Sequence, residues 1–249
     1  MKQEHFFVMF VLIACGCFLS LYCEQKYYDS VMKEKQKIEC ALLETVEDTG
    51  IRCVKALEEN EDRKKQIISE TFSEAITIFM GYFDTPEEKD FWRLYVPMLV
   101  WVEEDGAFFY YLQLKNEKGE KELNHVWTDK IFFSFPEGCS DMKKKALMAD
   151  VLEQKASGII TNHNVIAAQY GLSYHYFLPV FFQDTSRLPE FPMLFIVFQG
   201  WPINHSRMLY YDACLDAGMF LRQKQDSPVP YPKVLNFPRD EMENISTME

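Results

Sequence analysis

Histidine and cysteine are the residue types here best able to carry chemistry, and the chain has five of the first and seven of the second. His163 lies in Thr161-Asn162-His163-Asn164, near the end of an expected helix, and His175 alternates with Tyr174 and Tyr176 on an expected strand. Neither has a Cys, Asp or Glu beside it at metal-ligand or triad spacing, although a triad is assembled in space and not along the chain. Both read first as structural histidines and second, together with Tyr174, as part of a ligand or partner surface. Gln199-Gly200-Trp201-Pro202 is the other informative stretch. A glycine ending an apolar run, followed by Trp and Pro, marks a sharp strand exit. Either Trp201 fills the core at that turn or it belongs to an aromatic binding surface.

The catalytic motifs that a sequence can display are missing. There is no Gly-x-Ser-x-Gly, no Gly-rich phosphate loop and no His-Glu-x-x-His. The carboxylate pairs Glu87-Glu88 and Glu103-Glu104 fall at an expected helix start and an expected turn, where the helix dipole and solvation account for them. Catalysis is therefore unsupported. No Cys-x-x-Cys occurs, so no metal and no cofactor is expected. In an oxidising compartment Cys40, Cys53, Cys139 and Cys214 would allow three disulfide pairings. Cys40 and Cys53 would lie about 20 Å apart on one continuous helix, beyond the ~7 Å that a disulfide spans, and can pair only if the chain folds back near Gly50.

These residues must be positioned by elements whose order is set by an anchor. Phe6 to Cys23 is 18 residues without a charge. As a helix it spans roughly 27 Å, close to the ~30 Å hydrocarbon thickness of a bilayer. Lys and Arg counts around it point weakly to a cytoplasmic C-terminal domain. A short tail with Lys2 followed at once by the apolar run is instead the pattern of a signal anchor, which places the domain outside, and outside is the reading adopted. Leu12-Ile13-Ala14-Cys15 also resembles the lipobox of bacterial lipoproteins, which implies lipidation at Cys15. The apolar run continues through Phe18, Leu19, Leu21 and Tyr22, so an intact spanning helix comes first and the anchored lipoprotein is the alternative.

From residue 24 to 60, Val31, Ile38, Leu42, Val46, Cys53 and Leu57 recur at helical steps, with Gly50 as the one soft point. This stripe must be covered by the protein's own sheet, by a second copy or by another envelope protein. After the polar stretch Glu61 to Lys65, a second helical stripe runs from Ile68 to Phe83, and Thr85-Pro86 starts a short helix. The period then changes to that of strands at Met98–Val102 and Ala107–Lys115, joined by Glu103-Glu104-Asp105-Gly106, and again at Leu123–Trp127 and Ile131–Phe135. Ser140 to Tyr170 reads as a helix capped by Gly171, and Tyr174–Phe182 and Met193–Gln199 as strands separated by a loop with Arg187 and Pro189. Leu209–Leu221 suits either element. Residues 223–249, with four prolines, read as a disordered tail.

The fold class is therefore α+β: an N-terminal transmembrane helix continues into a long amphipathic helix, and an antiparallel sheet with a crossing helix follows. The division is a tail at 1–5, the anchor at 6–23, membrane-proximal helices at 24–83, the α+β domain at 84–222 and the polar tail. A net charge of −12 and short, acid-flanked basic clusters exclude a nucleic-acid partner.

On residues 6–57 the plan resembles that of bacterial pilin-like and Tad-type pilus accessory proteins, without their prepilin cleavage site. That resemblance implies a membrane protein that assembles through protein contacts. Leu99 to Tyr111 is similar to the opening hairpin of Cache or PAS-like sensor domains, which implies a small ligand between the sheet and the helix after Ser140. The expected function is a membrane-anchored exported protein acting through contacts, as an accessory of a pilus-like or secretion assembly, with the small-ligand sensor as the alternative.

Overall fold

A computed structural model describes residues 3–83, 91–117, 120–179, 182, 191–203 and 209–217. Helix α1 runs unbroken from Gln3 to Cys53, 51 residues and about 76 Å. Its two halves have opposite environments. Between Phe7 and Tyr22 the large apolar side chains are 40–74% exposed. Among the described residues this is the one helix long and apolar enough to cross a membrane, with a mean hydropathy of 2.1 in its most apolar window.

In the second half Ile38, Ala41, Leu42, Thr45, Val46, Thr49 and Cys53 are buried, at steps of three and four. Thr45 and Thr49 satisfy their buried hydroxyls by donating to the carbonyls of Ala41 and Thr45, at 2.8 and 2.7 Å. Gly50 does not break the helix; it is buried within it, and the chain turns only at a 3-10 segment, Val54–Glu58. The fold-back that would join Cys40 to Cys53 is thus not made, and all seven cysteines are free.

Helix α2, Glu61–Gly81, starts at Asn60, whose side chain accepts the Arg63 N–H at 3.0 Å. The charged residues after Asn60 belong to its first turn, where Glu61 and Asp62 favour the positive end of the dipole. Arg52 bonds Glu74 and Tyr82 bonds Glu44, the reversed order of an antiparallel helix pair. Small residues at the seam, Ala41, Thr45 and Thr49 on α1 with Thr71 and Ala75 on α2, are all buried.

The sheet is antiparallel throughout, in the order β3-β2-β1-β5-β6, with β4 also paired to β2. Its strands are β1 (Met98–Val102), β2 (Gly106–Glu117), β3 (Glu120–Trp127), β4 (Ile131–Phe132), β5 (Met193–Pro202) and β6 (Tyr210–Asp216). Helix α3, Asp141–Gln169, crosses between β4 and β5 and ends at Gly171, which has φ 78°.

Helices cover both faces of the central strands. Leu99, Trp101, Phe108, Leu194, Ile196, Phe198 and Leu215 pack with α1 and α2; Met98, Val100, Phe109, Met193, Phe195, Val197 and Cys214 pack with α3. This is why β1 and β5 read as continuous apolar runs and not as alternation. The stripe on α1 is covered by the chain's own α2 and sheet.

Three expectations change. Residues 174–179 join no ladder, so the strand expected there is not formed over these described residues. β4 has two residues, not five, and the ambiguous stretch after Leu209 is a strand over Tyr210–Asp216. The helix start at Thr85-Pro86, the loop with Arg187 and Pro189, and the tail from 223 lie outside the described residues.

Candidate functional site

The sequence candidates converge on one irregularity in β5. Its pairing with β6 shifts register between Phe198 and Trp201, with Gly200 at φ 78°. One extra residue in a strand of period two exchanges its faces. Gln199 therefore faces the α3 side with Phe195 and Val197, whereas Trp201 turns to the opposite side with Leu194 and Ile196.

The bulge frees the Gly200 N–H from the ladder, and Asp212 Oδ1 accepts it at 2.8 Å. The same oxygen accepts the Tyr174 hydroxyl at 2.6 Å. A carboxylate taking two donors is a strong acceptor held in place. The Tyr174 ring lies against Gly200 so closely that a Cβ there would stand 2.8 Å from its Cδ1.

Beside this bulge the extended segment 172–179 is held by side chains in place of a neighbouring strand. Asn164, on α3, accepts the Tyr176 N–H at 2.7 Å and donates to the Tyr176 carbonyl at 2.9 Å. Gln199, on β5, does the same for Phe177, at 3.1 and 2.9 Å. Two carboxamides thus supply the donors and acceptors that a ladder would have provided, which satisfies backbone groups in a half-buried place.

His163 is buried on α3. It donates from Nε2 to the Leu94 carbonyl at 2.8 Å, and its ring meets Tyr176 edge-on at 4.4 Å. Burial disfavours its charged form and pulls its pKa down to about 4. A second buried histidine, His125 on β3, is one that the sequence does not single out. It donates to the Val96 carbonyl at 3.0 Å, lies between the rings of Trp92 and Tyr110, and burial pulls its pKa down to about 3.

Of the four residues expected on a ligand or partner surface, two are buried. Trp201 is only 5% exposed, among Phe79, Phe83, Tyr95 and Phe198, because the bulge turns it inward. His163 is 1% exposed, because its nitrogen is spent on the chain's own backbone. Tyr174 is half-buried and bonded to Asp212, and His175 is exposed. Cys15 lies exposed in the apolar half of α1.

A separate charged cluster closes the β1–β2 turn. Glu103 is bonded by Lys64 from α2, by Lys130 at 2.8 Å and by the Trp101 indole N–H at 3.1 Å; Lys130 also reaches Asp105 at 2.8 Å. Burial opposes ionisation of Glu103, but the hydrogen bonds from Lys130, Lys64 and Trp101 outweigh it and hold the carboxyl below its ordinary value.

Among the described residues, no group of three or more His, Cys, Asp or Glu side chains is placed to hold a metal ion. Between the sheet and α3, where a sensor ligand was expected, Leu152, Ala156, Ile159, Phe195 and Val197 belong to one buried apolar cluster. A shallow cavity of about 230 Å³ lies between α1 and α2, lined by Glu44, Thr45, Glu47, Asp48, Ala75, Ile78 and Tyr82. The sequence signals for the residues it missed are slight: Asn164 directly follows His163, and Gln199 is a lone amide in an apolar run. Comparison with protein-family models, curated proteins and solved structures finds no match for this chain.

Proposed function

We propose that this is a single-pass membrane protein of the bacterial envelope, whose α+β domain stands outside the cytoplasmic membrane and acts through contacts with other envelope proteins, as an accessory of a pilus-like or secretion assembly. The observation that carries the reading is the division of α1. One unbroken helix has an exposed apolar half of membrane-spanning length and a second half that forms a wall of the domain core. An anchor built in this way fixes the domain at a set distance and rotation above the bilayer. From Cys23 to Ile38 the helix rises about 22 Å. Such geometry suits a part that must be held in position for neighbours more than one that diffuses to a substrate. The acidic surface supports it further, since a net charge of −12 repels anionic headgroups and leaves α1 as the membrane contact.

Cys40 is exposed on α1 and provides a native probe of the side. A membrane-impermeant maleimide added to intact cells labels it on this reading, and Cys40→Ser removes that part of the signal. Labelling only after lysis overturns the outside placement. Bifunctional crosslinking in native membranes then yields adducts with other envelope proteins or with a second copy. Recovery of the uncrosslinked monomer alone overturns the assembly role.

A further inference from the structure

Two histidines from different elements grip one short connector. Trp92–Val96 leads from the helical pair into β1, and its residues pack against three parts of the core: Trp92 on Phe72 of α2, Tyr95 on Trp201 of β5, and Leu94 with Leu112, Leu123 and Ile166. His163 of α3 holds the Leu94 carbonyl and His125 of β3 holds the Val96 carbonyl. A carbonyl only accepts, so the proton of each neutral ring sits on Nε2. Each Nδ1 is buried and has no hydrogen-bond partner among the described residues.

We infer that His125 and His163 form an acid-sensitive latch, which holds the Trp92–Val96 connector at neutral pH and releases it when the imidazoles are protonated.

A second proton on either ring would create an N–H donor and a charge where no acceptor waits. His125 faces the Tyr110 ring from β2, the Trp92 ring and the Arg93 guanidinium from the connector, and His163 from α3. His163 faces the Tyr176 ring from the 172–179 segment. The one fixed charge among these, Arg93, is a cation, and among the described residues no carboxylate pairs with either imidazole. Leaving the site lets each ring charge in water at its ordinary value near 6.5, so acid favours the open connector. Both rings are low in their buried state, which agrees with this direction. The sign follows: the gripped state binds fewer protons, so it weakens as pH falls below about 6.5. The connector packs on Phe72 of α2 and on Trp201 of β5, so its release opens that corner of the core.

The test is hydrogen exchange of the full-length protein in nonionic micelles at pH 7 and pH 5, corrected for intrinsic exchange rates. Protection over residues 91–97, relative to β1 and β5, is expected to fall by about 25-fold for each histidine that protonates. The His125→Gln, His163→Gln double variant keeps an amide N–H for each carbonyl but cannot titrate, and its ratio is expected to stay constant. His175→Gln, an exposed control, is expected to follow the wild type. An unchanged ratio in the wild type overturns the latch, and so does equal loss of protection in all elements, which would mean global unfolding. Persistence of the pH effect in the double variant also overturns it. Should that variant not fold, the wild-type ratio decides alone.

Discussion

Replacing Gly200 with Ala separates backbone strain from side-chain collision at the bulge. At φ 78° an L-residue costs about 1–2 kcal/mol in any surroundings. At Gly200 the added Cβ would also stand 2.8 Å from Tyr174 Cδ1 and 3.1 Å from its Cγ. That ring cannot swing aside freely, because its hydroxyl is held at 2.6 Å by Asp212. Giving up a hydrogen bond to a charged group costs about 1.5–3 kcal/mol, so Gly200→Ala should destabilise by about 3–5 kcal/mol. The molecule contains its own control. Gly171 has the same φ of 78°, and a methyl group added there would meet nothing within 4 Å, so Gly171→Ala should lose only the backbone share, about 1–2 kcal/mol. Denaturant unfolding of the full-length protein in micelles measures both, since Trp101 and Trp201 report from the core by fluorescence. Adding Tyr174→Ala to Gly200→Ala removes the colliding ring, so the pair should cost less than the sum of the single changes. Equal losses for Gly200→Ala and Gly171→Ala, or strict additivity with Tyr174→Ala, would refute a bulge clamped by that ring.

The other sites give sharper or milder effects. Asn164→Ala and Gln199→Ala each orphan two backbone groups of the 172–179 segment, and each should cost about 1–3 kcal/mol while raising hydrogen exchange over 174–179 ahead of β1. Trp201→Ala empties a site lined by four aromatic rings and should cost about 3–5 kcal/mol in the same unfolding assay. Glu103 has a folded-state pKa below its unfolded value of 4.5, so its contribution is complete above that value and is lost as pH falls through the folded one. Glu103→Gln should therefore differ from the wild type most at pH 7 and least at pH 3, as read from denaturation midpoints; a difference that is constant across this range counts against the charged cluster.

What the sequence shows and what it hides divides along the range of the interactions. Short-range patterns are readable: the uncharged run of α1, the change of period at Met98, the Asp105-Gly106 turn and the Gly171 helix end each rest on a few adjacent residues. Gly50 is a break by propensity alone, yet burial of the stripe from Ile38 to Cys53 against α2 outweighs the roughly 1 kcal/mol that glycine costs a helix. The face of Trp201 is not readable, because one inserted residue reverses a period of two and leaves the composition unchanged. Residues 174–179 have strand-like composition, but only the distant amides of Asn164 and Gln199 reveal that side chains replace the ladder. His125 is inconspicuous in Asn124-His125-Val126; its burial is made by Trp92 and Tyr110, which come from other elements.

The continuity of α1 also constrains how the molecule can respond to anything that binds it. A domain on a flexible tether reorients at almost no cost, whereas here the exposed apolar half of α1 and the residues that line the core belong to one hydrogen-bonded rod. Bending that rod between Cys23 and Ile38 breaks helical hydrogen bonds, and tilting it within the domain exposes Leu42, Val46 and Cys53, all at most 1% exposed. The cheapest internal motion is therefore not at the stalk. The connector from Trp92 to Val96 is a smaller unit, held by two imidazole hydrogen bonds. A rigid helix and a releasable connector are complementary: α1 and α2 keep their packing on the sheet, while opening the connector frees the corner where Trp92 meets Phe72 and Tyr95 meets Trp201.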